Sequence, residues 1–449
     1  MEFVKSHAGA MSASSSRLSP LPSSGRSRSI VEYRKKTLSR ALVALPLLGL
    51  CIVAYHIMST SPALPYARVL IDKGEVVWDD GKQQAKILTH FYNVEFLDYT
   101  ITTANMFFLQ ALYGYDSTSR TQTISFLADG GIVLAIWWLE SFRQDTKAKK
   151  SWYLQYPSMI ALAGQLIGLG VVAPLYSFLS LLPAPPPSEA ALPSHHATIS
   201  TPLLSTRDPS PSSSTSSSPS RGGRRTLNPF HLLPTAPTPS SRKSAAQDHG
   251  SPATTLLPAL LLAYYLPAAL MLFHPVPADR QAWLFIWQLF PVYLAVASFV
   301  LSRVPLSGKR RTDMQKLDAE ARGTRVCVGA LVVLAVGVWW WTWVGAGVSG
   351  EGMRGVFVPG GVPGERLPSL EGFAAEFLRW DEVFVFAGVL GWLGVVGAAV
   401  GSVVVLGPGA TAGMGWLWRE EVVFRRREKE VLLREVEAKV EELLRANGA

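Results

Sequence analysis

Five carboxylates lie inside or at the edge of long apolar runs, and they are where this sequence could do chemistry. They are Asp98 in EFLDYTITTANMFF, Asp129 in FLADGG, Glu140 in WWLESFR, and Asp381 with Glu382 in FLRWDEVFVF. A charge at the bilayer centre costs about 2.5–3.5 kcal/mol on insertion scales, so an acid in such a run faces a cavity or a partner. The plainer reading is that Glu140 with Arg143, or Asp381 with Arg379, are boundary charges. Tyr99, Trp137, Trp138 and Trp380 accompany the acids in sequence. Asn105, Gln165 and Gln288 also fall within apolar runs, where they line the same cavity or bond neighbouring helices. No Gly-x-Ser-x-Gly, His-Glu-x-x-His, phosphate loop or dinucleotide fingerprint stands in a suitable context. Asp79-Asp80 does not extend into an Asp-Asp-x-x-Asp spacing, so nothing supports ionisation of a diphosphate by magnesium.

The elements that must position these acids follow from composition. Of 449 residues, 48% are hydrophobic and 17% charged, with a mean hydropathy of +0.21. The charges cluster and leave long runs bare. A run of about 20 apolar residues crosses the ~30 Å hydrocarbon core as a helix, because a helix satisfies its own backbone polar groups there. Such runs begin at 41–57 and recur at about 97–114, 124–142, 155–182, 255–274, 282–302, 326–347 and 383–406. The expected fold is all-α, a polytopic bundle of about eight transmembrane helices. Its expected parts are a disordered basic tail (1–40), helices one to four (41–182), a disordered Ser/Pro-rich loop (183–253), helices five to eight (254–407) and an amphipathic C-terminal helix (408–449). The loop composition, SPSSSTSSSPSRGGRR, cannot bury a core and is open to phosphorylation. His195-His196 lie within it, where two adjacent histidines fix no metal geometry.

The net charge of +9 belongs with the flanks of membrane helices, which collect Lys and Arg on the cytoplasmic side. No basic stripe with interleaved aromatics marks a nucleic-acid surface. Cys51 and Cys327 lie inside apolar runs, which offers neither a disulfide framework nor a zinc site. The basic segments 1–40, 303–325 and 408–449 share the cytoplasmic side if the spans number eight, although the basic loop 143–150 then falls on the lumen. This predicts a multi-pass endomembrane protein, in the endoplasmic reticulum or a related compartment, with both termini cytoplasmic. The Arg-rich, acid-poor start is also that of a mitochondrial transit peptide. With eight spans, Asp98, Glu140 and Asp381 stand near one luminal boundary and Asp129 nearer the other face.

The stretches around these acids resemble the fungal membrane-bound terpene cyclases of the ascofuranone-pathway type. The similar segments run in order: FLDYTITTANMFF (96–108), the FLAD–WWLESFR span (126–143), GVVAPLYSFLSLL (170–182), LLPALLLAYYLPAALM (256–271), QAWLFIWQLFPVY (281–293) and FLRWDEVFVFAGVLGW (377–392). The resemblance implies metal-free, cofactor-free, acid-initiated cyclisation of a prenyl or epoxy-prenyl meroterpenoid in secondary metabolism. In such chemistry a buried carboxylic acid protonates an epoxide oxygen. Aromatic faces stabilise the carbocation by up to about 2 kcal/mol each when dry. Asp98, Glu140 and Asp381 are the expected acid and charge partners, with Tyr99, Asn105, Trp137, Trp138, Gln165, Gln288 and Trp380 lining the pocket. The expected partners are membrane lipid and a hydrophobic prenylated substrate. Two other classes stay open: a transporter of a small hydrophobic metabolite, and a non-catalytic membrane scaffold. Acids around a closed apolar pocket favour the enzyme, a through-going polar path the transporter, and scattered solvated acids the scaffold.

Overall fold

Inside a bilayer an apolar run has little choice but to coil, and where this chain stops coiling the sequence supplies a reason. The computed structural model describes residues 25–60, 63–78, 83–113, 117–142, 155–182, 252–303, 312–345, 347, 350–360, 370–394 and 396–448. Its architecture is an all-α bundle. The helices of the N-terminal part are α1 (Gly25–Thr60), α2 (Ala63–Lys73), α3 (Glu95–Asn105), α4 (Leu109–Tyr113), α5 (Ser117–Phe142), α6 (Pro157–Ile167) and α7 (Leu169–Leu181). Then come α8 (Pro252–Leu260), a π-helical turn (Leu261–Tyr265), α9 (Leu266–Phe273), α10 (Pro277–Gln288) and α11 (Phe290–Ser302). The last group is α12 (Asp313–Gly345), α13 (Gly350–Phe357), α14 (Leu370–Leu393), α15 (Val396–Leu406) and α16 (Pro408–Gly448). One hairpin, β1 (Glu75–Trp78) against β2 (Gln83–Lys86), pairs antiparallel with Glu75 opposite Lys86.

Among the described residues four helices are long and apolar enough to cross a membrane: Arg40–Thr60, Ser117–Phe142, Ala253–Phe273 and Asp313–Gly345. The pair α10–α11, bent by 64°, makes a fifth if it counts as one span. Three of the eight expected spans are broken. The run 97–114 stops at Asn105 after 11 residues, about 17 Å of helix against a ~30 Å core. Thr100 and Thr103 turn their hydroxyls onto the Phe96 and Tyr99 carbonyls, a bond that competes with the backbone ladder. The run 155–182 breaks at Gly168, which holds φ 95 and ψ 136, a conformation only glycine takes at little strain. The run 383–406 breaks at Gly394, with φ 70.

At its other end the chain coils earlier than expected: α1 starts at Gly25, inside the tail read as disordered. Residues 1–24 and the body of the Ser/Pro-rich loop, 183–251, lie outside the described residues, as does the basic loop 143–150.

Side-chain contacts fix the register of the long helices. Ile132 of α5 and Val328 and Val332 of α12 meet α16 at Gly413. Further along, the Trp416 indole and the Arg419 guanidinium both donate to Glu140 Oε1, at 3.0 and 2.8 Å. Arg419 also lies over the Trp392 ring of α14, 4.9 Å from its centroid. Thus α5, α14 and α16 run parallel. Helix α12 opposes them, since Arg325 pairs with Glu421 at 2.7 Å and Trp339 Nε1 donates to Val404 O at 3.1 Å. Trp392 stands at the level of Arg419, yet the chain is back at the level of Asp129 by Gly409, so the run after Gly394 doubles back instead of continuing a span.

Helix α14 approaches α7 through small residues, as membrane helices do when backbones must come close. A Cβ on Gly388 would meet Pro174 Cα, N and Cγ at 2.9 Å. Backbone and a proline ring cannot give way, so Gly388→Ala should destabilise the bundle by about 1–3 kcal/mol. A lowered thermal midpoint in lipid nanodiscs would register it.

Candidate functional site

Helix α5 carries Asp129 at its midpoint, and α14 carries Asp381 and Glu382 at its own. All three carboxyls are buried, at 2%, 4% and 5% exposure. They belong to one neighbourhood, because Glu382 lies within electrostatic reach of both Asp129 and Asp381. Their bonding separates their roles. Asp381 Oδ1 accepts from the Gly170 amide at 2.6 Å, and the Leu169 amide also bonds its carboxyl. These are the first amides of α7, which have no partner within their own helix, and a carboxylate there is stabilised by them and by the helix dipole. Asp381 therefore caps a helix that begins in the bundle interior.

Asp129 is bonded by the Gly409 amide, and its Oδ2 has no partner among the described residues. Helix α16 comes so close at Gly409 that any side chain there would run into the Asp129 carboxyl. Glu382 is the outlier: neither Oε1 nor Oε2 has a hydrogen-bond partner among the described residues. An ionised carboxylate without a donor is very costly in a dry interior, whereas the protonated acid is far less so. No three His, Cys, Asp or Glu side chains among the described residues are placed to share a metal ion.

Two tyrosines close the neighbourhood. Tyr264 Oη donates to Leu127 O and Tyr265 Oη to Ala128 O, both at 3.0 Å, and both rings lie within electrostatic reach of Asp129. Both tyrosines close the π-helical turn Leu261–Tyr265, and their hydroxyls reach consecutive carbonyls of α5. Gly130 and Gly131 leave room for the phenol groups. From Tyr264 an aromatic wall continues to Phe290 (4.8 Å between centroids) and Trp287 (5.9 Å), then from Trp287 to Phe108 (5.4 Å). At its end Gln288 Nε2 donates to Asn105 Oδ1 at 2.9 Å, beside the bend between α10 and α11. Trp287 Nε1, Asn105 Nδ2 and Thr102 Oγ1 are buried without partners among the described residues.

The other expected residues take different places. Asp98 accepts from the Phe91 and Tyr92 amides at 3.2 and 2.8 Å and ties down the loop before α3. Tyr99 points outward at 47% exposure. Trp137 packs on Tyr176, with 5.0 Å between centroids, and Trp138 is buried in the same core. Gln165 is partly exposed. Trp380 stacks on Phe384 at 5.5 Å. The single luminal boundary expected for Glu140 and Asp381 is corrected. Glu140 shares a level with Trp392 and Arg419, about ten residues or 15 Å along the helices from the level of Asp129 and Glu382. The reason is the parallel course of α5 and α14, which an even alternation of spans does not allow. Sequence reasoning also missed Tyr264 and Tyr265, although a tyrosine pair in an otherwise aliphatic run was a visible signal.

Glu140 instead anchors the far end of the bundle through Trp416 and Arg419. Glu140→Ala would leave a buried indole N–H and a guanidinium unpaired. Its expected effect is a loss of about 2 kcal/mol, below the ~3–5 of a fully buried pair because Arg419 is 37% exposed. A denaturation midpoint measured beside Arg419→Met would show it, and the double variant should be less than additive.

Residues 41–207 match the family model described as the CtvD domain. The chain is 27% identical over 429 residues to the FAD-dependent monooxygenase verC1 of Penicillium polonicum, covering 90% of this chain and 45% of that protein. It is 30% identical over 203 residues to the FAD-dependent monooxygenase anuJ of Penicillium roqueforti (strain FM164), covering 40% of this chain and 24% of that protein. The chain thus spans less than half the length of either relative. No solved structure matches it.

Proposed function

We propose that this chain is a membrane-embedded enzyme of fungal secondary metabolism that cyclises a prenyl-arene epoxide by proton transfer, with Glu382 as the acid. The observation that carries the reading is the Glu382 carboxyl, buried without any donor among the described residues and within electrostatic reach of Asp129; the bundle core also holds the rings of Tyr264, Trp287 and Phe290. The proton moves from Glu382 to the epoxide oxygen as a C–O bond breaks. The carbon left electron-poor is attacked by the π electrons of the next double bond, and ring closure passes the positive charge along the chain. Tyr264, Trp287 and Phe290 offer ring faces to that charge. The last carbon loses a proton to Asp129 at its Oδ2, and a proton returned to Glu382 completes the cycle. One proton enters and one leaves, so the product is an isomer of the substrate. Asp381 is a positioning residue here: as the cap of α7 it holds in place the turn of α14 that carries Glu382. The role expected of Asp98 and Glu140 passes to Glu382 and Asp129, since the former two already serve a loop and a helix end.

The names of the relatives raise the question of a flavin. A dinucleotide site sets the pyrophosphate on a glycine-rich turn between a parallel strand and a helix. Among the described residues the strands are β1 and β2, four residues each and antiparallel. These residues do not fit the cofactor, and no step is assigned to it. FAD-dependent chemistry in the relatives would then belong to the part of their length that this chain does not span.

The test is expression of the full chain in a fungal host fed a panel of prenyl-aryl epoxides. Cyclised isomers dependent on the chain support the reading. A complete panel returned unchanged rejects it.

A further inference from the structure

A pocket of about 510 Å³ lies between α8 and the first half of α12, apart from the acids. Its α12 wall is a single helix face: Gln315, Asp318, Arg322 and Val326 recur at three- and four-residue steps, and Ala319, Gly323 and Cys327 do so beside them. That face changes character along its length, because α12 begins DMQKLDAEARGTR and continues VCVGALVVLAVGV. Gln315 and the Asp318–Arg322 ion pair (2.7 Å) form a polar mouth, and Leu257 and Cys327 form an apolar floor, with Val326 at its exposed edge. The floor and the site share one core: Tyr265 packs against the buried cluster that includes Cys327, and its Oη donates to Ala128 O, next to Asp129, at 3.0 Å. The volume suits a ligand of small-molecule size.

We propose that this seam is where an amphiphilic prenyl-arene enters the protein, chain first, with its oxygenated ring held at the Gln315–Arg322 mouth. The inference rests on the cyclase reading for the identity of the ligand. It adds a direction: the far end of the prenyl chain, where the epoxide sits, goes inward past Tyr265 toward Asp129 and Glu382. From Arg322 to Val332, which meets α16 one turn from Gly409, is about ten residues or 15 Å of helix. A short prenyl chain held at the mouth does not reach the acids; a long one does.

The test uses the full chain in phospholipid nanodiscs, with Cys51 and Cys327, its two cysteines, replaced by Ala. Val326, lining the pocket and 59% exposed, is changed to Cys and its alkylation by a maleimide is timed. Prenylphenols carrying one, two or three isoprene units and no epoxide serve as probes. The three-unit probe should slow alkylation about fivefold or more, and the one-unit probe should slow it far less. Leu257→Trp, or Leu257→Phe if the larger ring prevents folding, should remove that protection. In an otherwise native chain the same change should raise KM about tenfold or more while sparing kcat, the pattern of lost uniform binding. Adding Glu382→Gln should leave protection intact. No protection, or equal protection by a free fatty acid of matching length, overturns the proposal and makes the seam a lipid crevice. Protection without turnover in the native chain sustains the seam and rejects the cyclase reading. Unchanged KM in a folded Leu257→Trp chain rejects the seam alone.

Discussion

Glu382→Gln should abolish cyclisation, lowering kcat by about a thousandfold within the 10²–10⁴ range of general acid catalysis, while the protein folds as before. The amide is nearly the size of the acid and carries no proton to give. Neither Glu382 oxygen has a hydrogen-bond partner among the described residues, so the substitution breaks no native bond and removes a buried acid. Thermal stability should therefore stay level or rise slightly. Single-turnover product formation together with a melting curve would check both halves. A Glu382→Gln variant that keeps its activity would return the proton donor to the other acids.

The second large effect concerns stability, and it falls on the neighbouring residue. Asp381→Leu should cost about 3 kcal/mol or more, because two amides at the start of α7 lose their acceptor in the bundle interior. Asp381→Asn should be mild. An amide oxygen can still accept from Gly170, so most of the stability and at least a tenth or so of the turnover should remain. The contrast discriminates between the two adjacent acids. If Asp381 donates the proton, Asp381→Asn is dead and Glu382→Gln active; if it caps α7, the order is reversed. Measuring both variants in one preparation, with melting midpoint and rate side by side, gives the answer.

The fold class was legible because hydropathy alone decides it: runs such as Ala253–Phe273 and Asp313–Gly345 can only be helices. What hydropathy does not show is where a run breaks. Gly168 and Gly394 look like the many other glycines of the chain, and nothing in the composition marks them as ones with positive φ. Thr100 and Thr103 did carry a local signal, since hydroxyls that bond back onto the helix weaken it, but an apolar average hides it. The site was legible in part. The five acids named for their cost are buried, but so are Glu376 and Glu420, which were not named; Asn105 and Gln288, expected to line a cavity or to bond neighbouring helices, bond each other. The pairing of Asp129 with Glu382 was not visible. It depends on α5 and α14 running parallel, which an even alternation of spans does not allow. Nor does sequence reveal that Asp381 is occupied by Gly170 while the next residue is bare. Periodicity places side chains on a face; it does not say which backbone amides face them.

The most direct measurement of the central claim is the mass of the product formed from a prenyl-aryl epoxide in water enriched in ¹⁸O. Proton-initiated cyclisation keeps the epoxide oxygen and adds nothing, so the product should have the mass of the substrate, with no heavy oxygen, in the absence of added flavin. Uptake of one heavy oxygen with two hydrogens would make the reaction a hydrolysis. A gain of oxygen from O₂ only when flavin is supplied would make it a monooxygenation. Either result would contradict a cyclase built on Glu382.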